Sequence, residues 1–118
     1  MNQIKYKQFV IIPKKPKMSP GKIASQVAHA TFMALDKQKN KRIIQVWKKS
    51  GMCVIVLQTD NPLQLFGISE YLKQWGINSH IYIDEGLTEV AMGTPTALAT
   101  EVLSQEWHWI FKTMRLYE

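Results

Sequence analysis

Apolar and polar residues alternate along the chain in two patterns, short runs of strand length and longer stretches of helical period. Apolar runs occupy residues 8–12, 52–57 and 81–83, and a fourth run begins near Thr96. Short runs rich in β-branched residues and closed by turn formers are typical of buried strands. The pattern therefore predicts four strands.

The clearest helical period follows Ser19-Pro20, where serine can cap free N–H groups and proline suits the first helical position. Four apolar residues then recur at the spacing of a core-facing stripe: Ile23, Val27, Ala30 and Ala34. We expect this helix to end near residue 37. Further helices are predicted at 42–49, from 60 to the residue before Gly76, and at 104–113.

The order of these elements is an α/β alternation, so the first three strands should be mostly parallel and joined by helical crossovers. The link between residues 83 and 96 is too short for a crossover helix, so the fourth strand should run antiparallel to its neighbours. We expect an α/β fold with a four-stranded mixed sheet and helices on both faces, in three α/β/α layers. Its 118 residues should form one domain.

Charge is distributed unevenly along the chain. Residues 1–49 contain 12 of the 15 Lys and Arg residues and one acid, a net charge of +11, whereas residues 50–118 carry −5. This split favours a surface for a polyanion such as a nucleic acid, the alternative being a solvated surface on which charges happen to cluster.

Composition excludes several other classes of protein. A single cysteine, Cys53, allows no intrachain disulfide and no thiolate-rich metal site, and His80 and His108 lack ligand spacing, so we expect no metal and no cofactor. No apolar run approaches the roughly 18 residues that cross a bilayer, and the first residues contain no hydrophobic signal region. We expect a cytoplasmic protein without membrane contact.

The start of the first helix contains the first group of reactive side chains. Lys22 lies where the free amides and the helix dipole favour an anion, and Gln26 and His29 follow at i+4 and i+7 on the same face. The glycine-rich spacing of a P-loop is missing, so the signal is an anion site of modest specificity. Alternatively, Gln26 and His29 belong to a semi-buried polar network.

A second group follows the third strand. Asp84 ends that strand, and Thr88 and Thr96 supply hydroxyl groups nearby in sequence. Ligands of open α/β sheets collect beyond the carboxyl ends of the strands, where the first helix also begins. The two groups should therefore meet, unless Asp84 and the threonines are only turn formers.

Segment 17–30 reads KMSPGKIASQVAHA, and segment 84–98 reads DEGLTEVAMGTPTAL. They resemble the motifs K-M-x-x-G-K-[IV]-A-x-Q-x-x-H-A and D-x-G-x-T-x-[IV]-x-x-G-[ST]-x-T of the type 2 peptidyl-tRNA hydrolase family, found in archaea and eukaryotes. Trp47 and Gly51 are similar to the family's W-x-x-x-G before the second strand. The resemblance covers nearly the whole chain, in the right order.

The resemblance implies an esterase that cleaves the bond between a peptide and the terminal ribose of tRNA, and so recycles tRNA. It implies catalytic roles for Lys22, Asp84, Thr88 and Thr96, with Gln26 and His29 in support. The chain departs from the family where L-G-I-G-P is replaced by residues 98–102, LATEV, and D-A-G by residues 84–86, DEG. The lost Gly-Pro should alter the start of the last helix and the shape of the substrate channel.

The tRNA partner should be held by its phosphates, because one enzyme serves many tRNAs. The candidate contacts are the lysines of the basic half: Lys14, Lys15, Lys17, Lys48 and Lys49. Trp47 and Trp75 are expected in the core. Trp107 and Trp109 lie on different helix faces, so one of them is a candidate for a homodimer contact or for the terminal adenine.

Three other functions remain open from the residues. The fold could bind tRNA or another RNA without catalysis, or the Lys/Asp/Thr group could be a structural network in an interaction protein. The same esterase chemistry could also act on a mischarged aminoacyl-tRNA. Release of a blocked amino acid from tRNA separates the first two of these from the enzyme.

Overall fold

The structure is a computed structural model, and it describes residues 4–86 and 89–118. Its strands are β1 (Tyr6–Pro13), β2 (Val54–Thr59), β3 (Ser79–Ile83), β4 (Pro95–Thr100) and β5 (Leu103–Ser104). Its helices are α1 (Pro20–Lys37), α2 (Lys41–Lys49), α3 (Gln64–Gln74) and a 3₁₀ helix at Gln105–Phe111.

The sheet is mixed, with the strand order β2-β1-β4-β3, and β5 pairs with the start of β1. β1 and β2 are parallel, whereas β4 runs antiparallel to both β1 and β3. The predicted α/β fold and strand directions are confirmed. The described residues form five strands rather than four, because Tyr6 and Lys7 extend β1 far enough to pair with Ser104 and Leu103.

Helices cover both faces of the sheet, as expected. Alternate residues of β1 point to opposite faces: Val10 and Ile12 pack with Ala30 and Ala34 of α1. Phe9 and Ile11 pack on the other face with α3 and the 3₁₀ helix. None of the helices in the described part of the chain is both long and apolar enough to span a membrane.

The element bounds differ from prediction where side chains or turns intervene. β2 starts at Val54 rather than at residue 52, because Gly51 and Met52 have positive φ angles of 107° and 51°. α3 starts four residues after the predicted position, because the Gln64 side chain accepts hydrogen bonds from the backbone of Asp60 and Asn61 and holds them in a turn.

The last predicted helix is a 3₁₀ helix at Gln105–Phe111 and not an α-helix over 104–113. Its end is held by Phe111, whose ring stacks on Phe9 with centroids 4.0 Å apart. The chain then passes the outer edge of β2, where Gln58 N–H donates to the Arg115 carbonyl at 2.9 Å.

The two ends of the strands define two opposite edges of the sheet. The carboxyl edge is where β1, β2 and β3 end, and both α1 and β4 begin there. The amino edge is the opposite side, where β1 meets β5 and where α2 packs through Ile44 and Trp47 against Val102.

Candidate active site

The first turn of α1 is fastened at the carboxyl edge by Ser19. The Ser19 hydroxyl accepts from Lys22 N–H at 3.2 Å, which caps the helix as the sequence predicts. Glu89 then accepts from Ser19 N–H at 2.7 Å and from the Ser19 hydroxyl at 2.6 Å. The hydroxyl bond is the main reason that the pKa of Glu89 lies below its usual value.

Lys22 and Asp84 form an ion pair between the start of α1 and the end of β3. The Lys22 ammonium lies 2.5 Å from Asp84 Oδ1, and the two side chains are only 9% and 6% exposed. The two residues lie 62 positions apart in the sequence. They meet because β1 and β3 end at the same edge of the sheet, where α1 begins. The two predicted groups of reactive side chains therefore meet through Lys22 and Asp84.

Both oxygens of the Asp84 carboxylate accept hydrogen bonds. Oδ1 also accepts from the Gln26 amide at 3.1 Å, and Oδ2 accepts from Gly86 N–H at 2.7 Å. The hydrogen bond from Lys22 is the largest cause that lowers the pKa of Asp84, while burial acts in the opposite direction. The Gly86 and Gln26 bonds lower this pKa further.

Gln26 links Asp84 to Thr96. It is 1% exposed, and its amide nitrogen lies 3.0 Å from the Thr96 hydroxyl as well as 3.1 Å from Asp84. Thr96 is also 1% exposed, and its hydroxyl lies 3.4 Å from the Tyr82 carbonyl oxygen. Gln26 is therefore part of a network that includes three of the predicted catalytic residues, Lys22, Asp84 and Thr96.

His29 lies one turn further along α1. It is exposed, and its ring stacks on Tyr82 of β3 with centroids 4.5 Å apart and planes 17° apart. It flanks the buried network on the side away from Lys22. Thr88, the fourth predicted catalytic residue, lies outside the described residues.

The chain that follows Asp84 returns to it. Asp84 N–H donates to the Thr94 carbonyl and Gly93 N–H donates to the Asp84 carbonyl, both at 2.9 Å. Gly86 has a φ angle of 76°, and a Cβ at this position would lie 2.7 Å from Met92 backbone atoms. Only glycine fits here without strain, so the turn around Met92 packs directly on the loop that holds Asp84.

The candidate phosphate-binding lysines fall into two groups. Lys15 and Lys17 are exposed in the loop between β1 and α1, at the carboxyl edge. Lys14 precedes them, and its ammonium contacts the Glu118 carbonyl and lies 4.5 Å from the Tyr117 ring centroid. Lys48 and Lys49 end α2 at the amino edge, far from the Lys22–Asp84 pair.

The tryptophans are divided between core and surface. Trp47 is buried, as expected, and its indole donates to the Cys53 carbonyl at 2.9 Å. Trp75 is 45% exposed, against expectation, because it follows the last turn of α3, where its ring contacts Trp109 edge-on and lies 6.1 Å from the Trp107 ring. Trp109 is 50% exposed.

The departure from the family at residues 98–102 lies at the amino edge. Val102 occupies the place of the family's proline, and its N–H donates to the buried Gln38 side chain at 2.9 Å. A proline has no N–H to donate, so the departure provides a hydrogen bond to the end of α1. The change is at the opposite edge from the Lys22–Asp84 pair.

Glu89 is the site residue that sequence reasoning missed. It contacts Ser19 across 70 positions, and its own neighbours in sequence give no cue to that contact. Two features of the sequence could have indicated this contact. Glu89 lies within the motif that was assigned to catalysis, and the first turn of α1 has no acidic residue of its own.

Residues 6–117 match the sequence model of the family described as Peptidyl-tRNA hydrolase PTH2. The chain is 38% identical to "Peptidyl-tRNA hydrolase" of Thermococcus onnurineus over 104 residues, which cover 86% of this chain and 88% of that protein. It is 35% identical to "Peptidyl-tRNA hydrolase" of Methanopyrus kandleri, over 79% of this chain and 81% of that protein.

A eukaryotic relative is more distant and longer. "Probable peptidyl-tRNA hydrolase 2" of Dictyostelium discoideum is 30% identical over 95 residues, which cover 79% of this chain and 45% of that protein.

Proposed function

The chain belongs to the Peptidyl-tRNA hydrolase PTH2 family, and on that premise we propose that it hydrolyses the ester between a peptide and the terminal ribose of tRNA. The reaction adds water to the ester carbonyl carbon and breaks the bond to the ribose oxygen. The acyl group leaves as a carboxylic acid, and the ribose oxygen takes up a proton.

The observation that carries this proposal is the shielded Lys22–Asp84 pair at the carboxyl edge. Ester hydrolysis passes through a tetrahedral intermediate with a negative oxygen, and a fixed cation in a water-poor site stabilises that charge strongly. We assign this role to the Lys22 ammonium. Its position in the capped first turn of α1 adds the partial positive charge of the helix start.

Asp84 is assigned the orientation of Lys22 and of the attacking water. Its lowered pKa keeps it ionised at neutral pH and makes it a weak proton acceptor. Electrostatic alignment therefore suits this carboxylate better than full proton abstraction. Its two oxygens are already held by three donors, which supports a fixed geometry.

Gln26 and Thr96 are assigned positioning roles, because both are buried and act through Asp84. The resemblance implies a catalytic role for Thr88, and we assign it the placing of the water or the ester. His29 is assigned support at the rim, where its ring extends the network towards solvent.

The tRNA partner fits the charge of the carboxyl edge. Lys15 and Lys17 are exposed beside the start of α1, where phosphates of the tRNA end would lie once its ester reaches Lys22. The substrate of such an enzyme is produced by translation, so a cytoplasmic location belongs to the same proposal. A homodimer contact through the exposed Trp109 also belongs to it, and sedimentation of a Trp109→Ser variant tests that contact.

The experiment that tests the proposal is release of N-acetylated amino acid from tRNA by purified protein. The unmodified protein should release it, and Lys22→Ala should lower kcat/KM by about 100- to 1000-fold, the loss typical of an oxyanion-stabilising group. Lys37→Ala is the matched control, since it removes a lysine from the opposite end of the same helix and should stay within about twofold.

Circular dichroism should be the same for the three proteins. Tight tRNA binding without release by the unmodified protein would instead indicate an RNA-binding protein. Full activity of Lys22→Ala would refute the assignment of Lys22.

A further inference from the structure

An apolar groove lies at the carboxyl edge next to the Lys22–Asp84 pair. Its cavity volume is about 560 Å³, and its lining includes Pro16, Leu63, Val90, Met92 and Pro95. Pro95 directly precedes the buried Thr96, and Thr94, which also lines the groove, is hydrogen-bonded to Asp84. The groove therefore adjoins the loop that carries Asp84 and the start of β4, on which Thr96 lies.

Two large apolar side chains stand out of the surface in this groove. Met92 is 81% exposed and Leu63 is 75% exposed. Exposed apolar side chains that lie together in one concave surface are typical of a binding site. Methionine is unbranched and flexible, so it suits partners of varied shape.

The backbone that presents these two side chains is braced. Met92 packs on Gly86, and Gly93 N–H is hydrogen-bonded to the Asp84 carbonyl at 2.9 Å. Leu63 follows a turn that the Gln64 side chain holds by accepting from Thr59, Asp60 and Asn61. Leu63 and Met92 are therefore exposed on backbone that hydrogen bonds hold in place.

The chemistry of the groove suits the acyl part of the substrate better than the nucleotide part. Among the described residues that line it, none is basic or aromatic, and the one charged residue is the anion Glu89. A phosphate would be repelled by that charge, and a nucleobase would lack an aromatic surface to stack on. Binding of apolar peptide side chains here is favourable, because it removes apolar surface from water.

We propose that this groove binds the side chain of the amino acid at the ester, and that Leu63 and Met92 favour bulky apolar residues at that position. The inference rests on the proposed esterase function and adds the part of the substrate that is recognised. The acyl side chain then lies in this groove, whereas Lys15 and Lys17, on the loop whose Pro16 lines one side of the groove, are exposed and available to the tRNA phosphates.

The test uses one tRNA carrying either N-acetyl-phenylalanine or N-acetyl-glycine, so that only the acyl side chain differs. The ratio of kcat/KM for the two substrates is measured for the unmodified protein and for Leu63→Ser/Met92→Ser. Removing apolar surface from an open groove should lower the phenylalanine-to-glycine ratio by about fivefold. Phe32→Ser is the matched control, since Phe32 is 69% exposed on α1 away from the groove and should leave the ratio unchanged.

The other outcomes overturn the inference. An equal loss of kcat/KM on both substrates would mean that the groove serves the tRNA end. An unchanged kcat/KM on both substrates in the double variant would mean that the groove binds no part of the substrate. Failure of the proposed function is distinguishable from both, because the unmodified protein would then release neither substrate.

Discussion

At the scale of single residues, the candidate site depends on how many donors hold one carboxylate. Lys22, Gln26 and Gly86 together donate to both oxygens of Asp84. Each donor stabilises the ionised form, so removing one should raise the pKa of Asp84 and should loosen its position.

Gln26→Met should lower kcat by about tenfold, because a hydrogen bond to a charged group contributes about 1.5–3 kcal/mol. The acid limb of the pH–rate profile should move to higher pH, since Gln26 is one of the causes that lower the pKa of Asp84. Both quantities are measured by steady-state hydrolysis over a range from about pH 2.5 to about pH 8.

Gln38→Met is the control for this prediction. Gln38 is also buried and bonds to the backbone of Val102 at the amino edge, so its loss should lower stability without moving the acid limb. A limb that moves equally in both variants would contradict the role given to Gln26.

Asp84→Asn should destabilise the fold at neutral pH, because it leaves the shielded Lys22 ammonium without its anion. The pKa of Asp84 in the folded state lies below its ordinary value of 3.8. Its ionised form therefore contributes stability that is fully present above about pH 4 and is lost as the pH falls through the folded-state pKa.

The measurement is urea denaturation of both proteins from about pH 2 to about pH 7. The difference in unfolding free energy should be constant at the higher pH values and should narrow only below about pH 4. A difference in unfolding free energy that stays constant below about pH 4 would show that the charge of Asp84 does not stabilise the fold.

At the scale of elements, the loop from Asp84 to Thr94 decides the shape of the site. It closes on itself through backbone bonds to Asp84, and Glu89 joins it to the start of α1. These backbone hydrogen bonds require particular backbone dihedral angles. One of them is the positive φ angle of 76° at Gly86.

Gly86→Ala should lower the unfolding free energy by about 1–3 kcal/mol, the cost of a strained backbone position. Activity should fall as well, because the added Cβ would push Met92 away from the Asp84 loop. Gly67→Ala is the control: Gly67 is helical with open space around its Cα, so this change should stabilise α3 by up to about 1 kcal/mol. Denaturation and hydrolysis assays check both variants.

Most elements follow from local pattern, and the exceptions have local causes. α1 has the predicted bounds because its cap and its apolar stripe are both within the segment. The last helix differs because Phe111 is held by Phe9, which is distant in sequence, and no periodicity within the segment reports that contact.

At the scale of the whole molecule, the fold places positive charge at both edges of the sheet. Lys15 and Lys17 lie at the carboxyl edge, and Lys48 and Lys49 lie at the amino edge. Charge alone put these lysines into one group in the sequence analysis, whereas the fold places them at opposite edges of the sheet.

Lys15→Glu/Lys17→Glu should weaken tRNA binding more than Lys48→Glu/Lys49→Glu, although both change the net charge equally. Each lysine–phosphate interaction that is removed should make the slope of log affinity against log salt shallower by about 0.7–0.9. Filter binding of tRNA at several salt concentrations measures this slope. Equal effects of the two variants would indicate that tRNA spans both edges.

The sequence by itself predicted four of the five strands of the described residues, the capped first helix, the direction of β4 and the meeting of Lys22 and Gln26 with Asp84 and Thr96. It could do so because caps, periods and motif spacings are properties of neighbouring residues. Only the tertiary structure decided that Glu89 accepts hydrogen bonds from Ser19, that Val102 bonds to Gln38 and that the segments of Leu63 and Met92 line one groove. These contacts join distant segments, and they depend on the strand order and crossovers that bring the segments together.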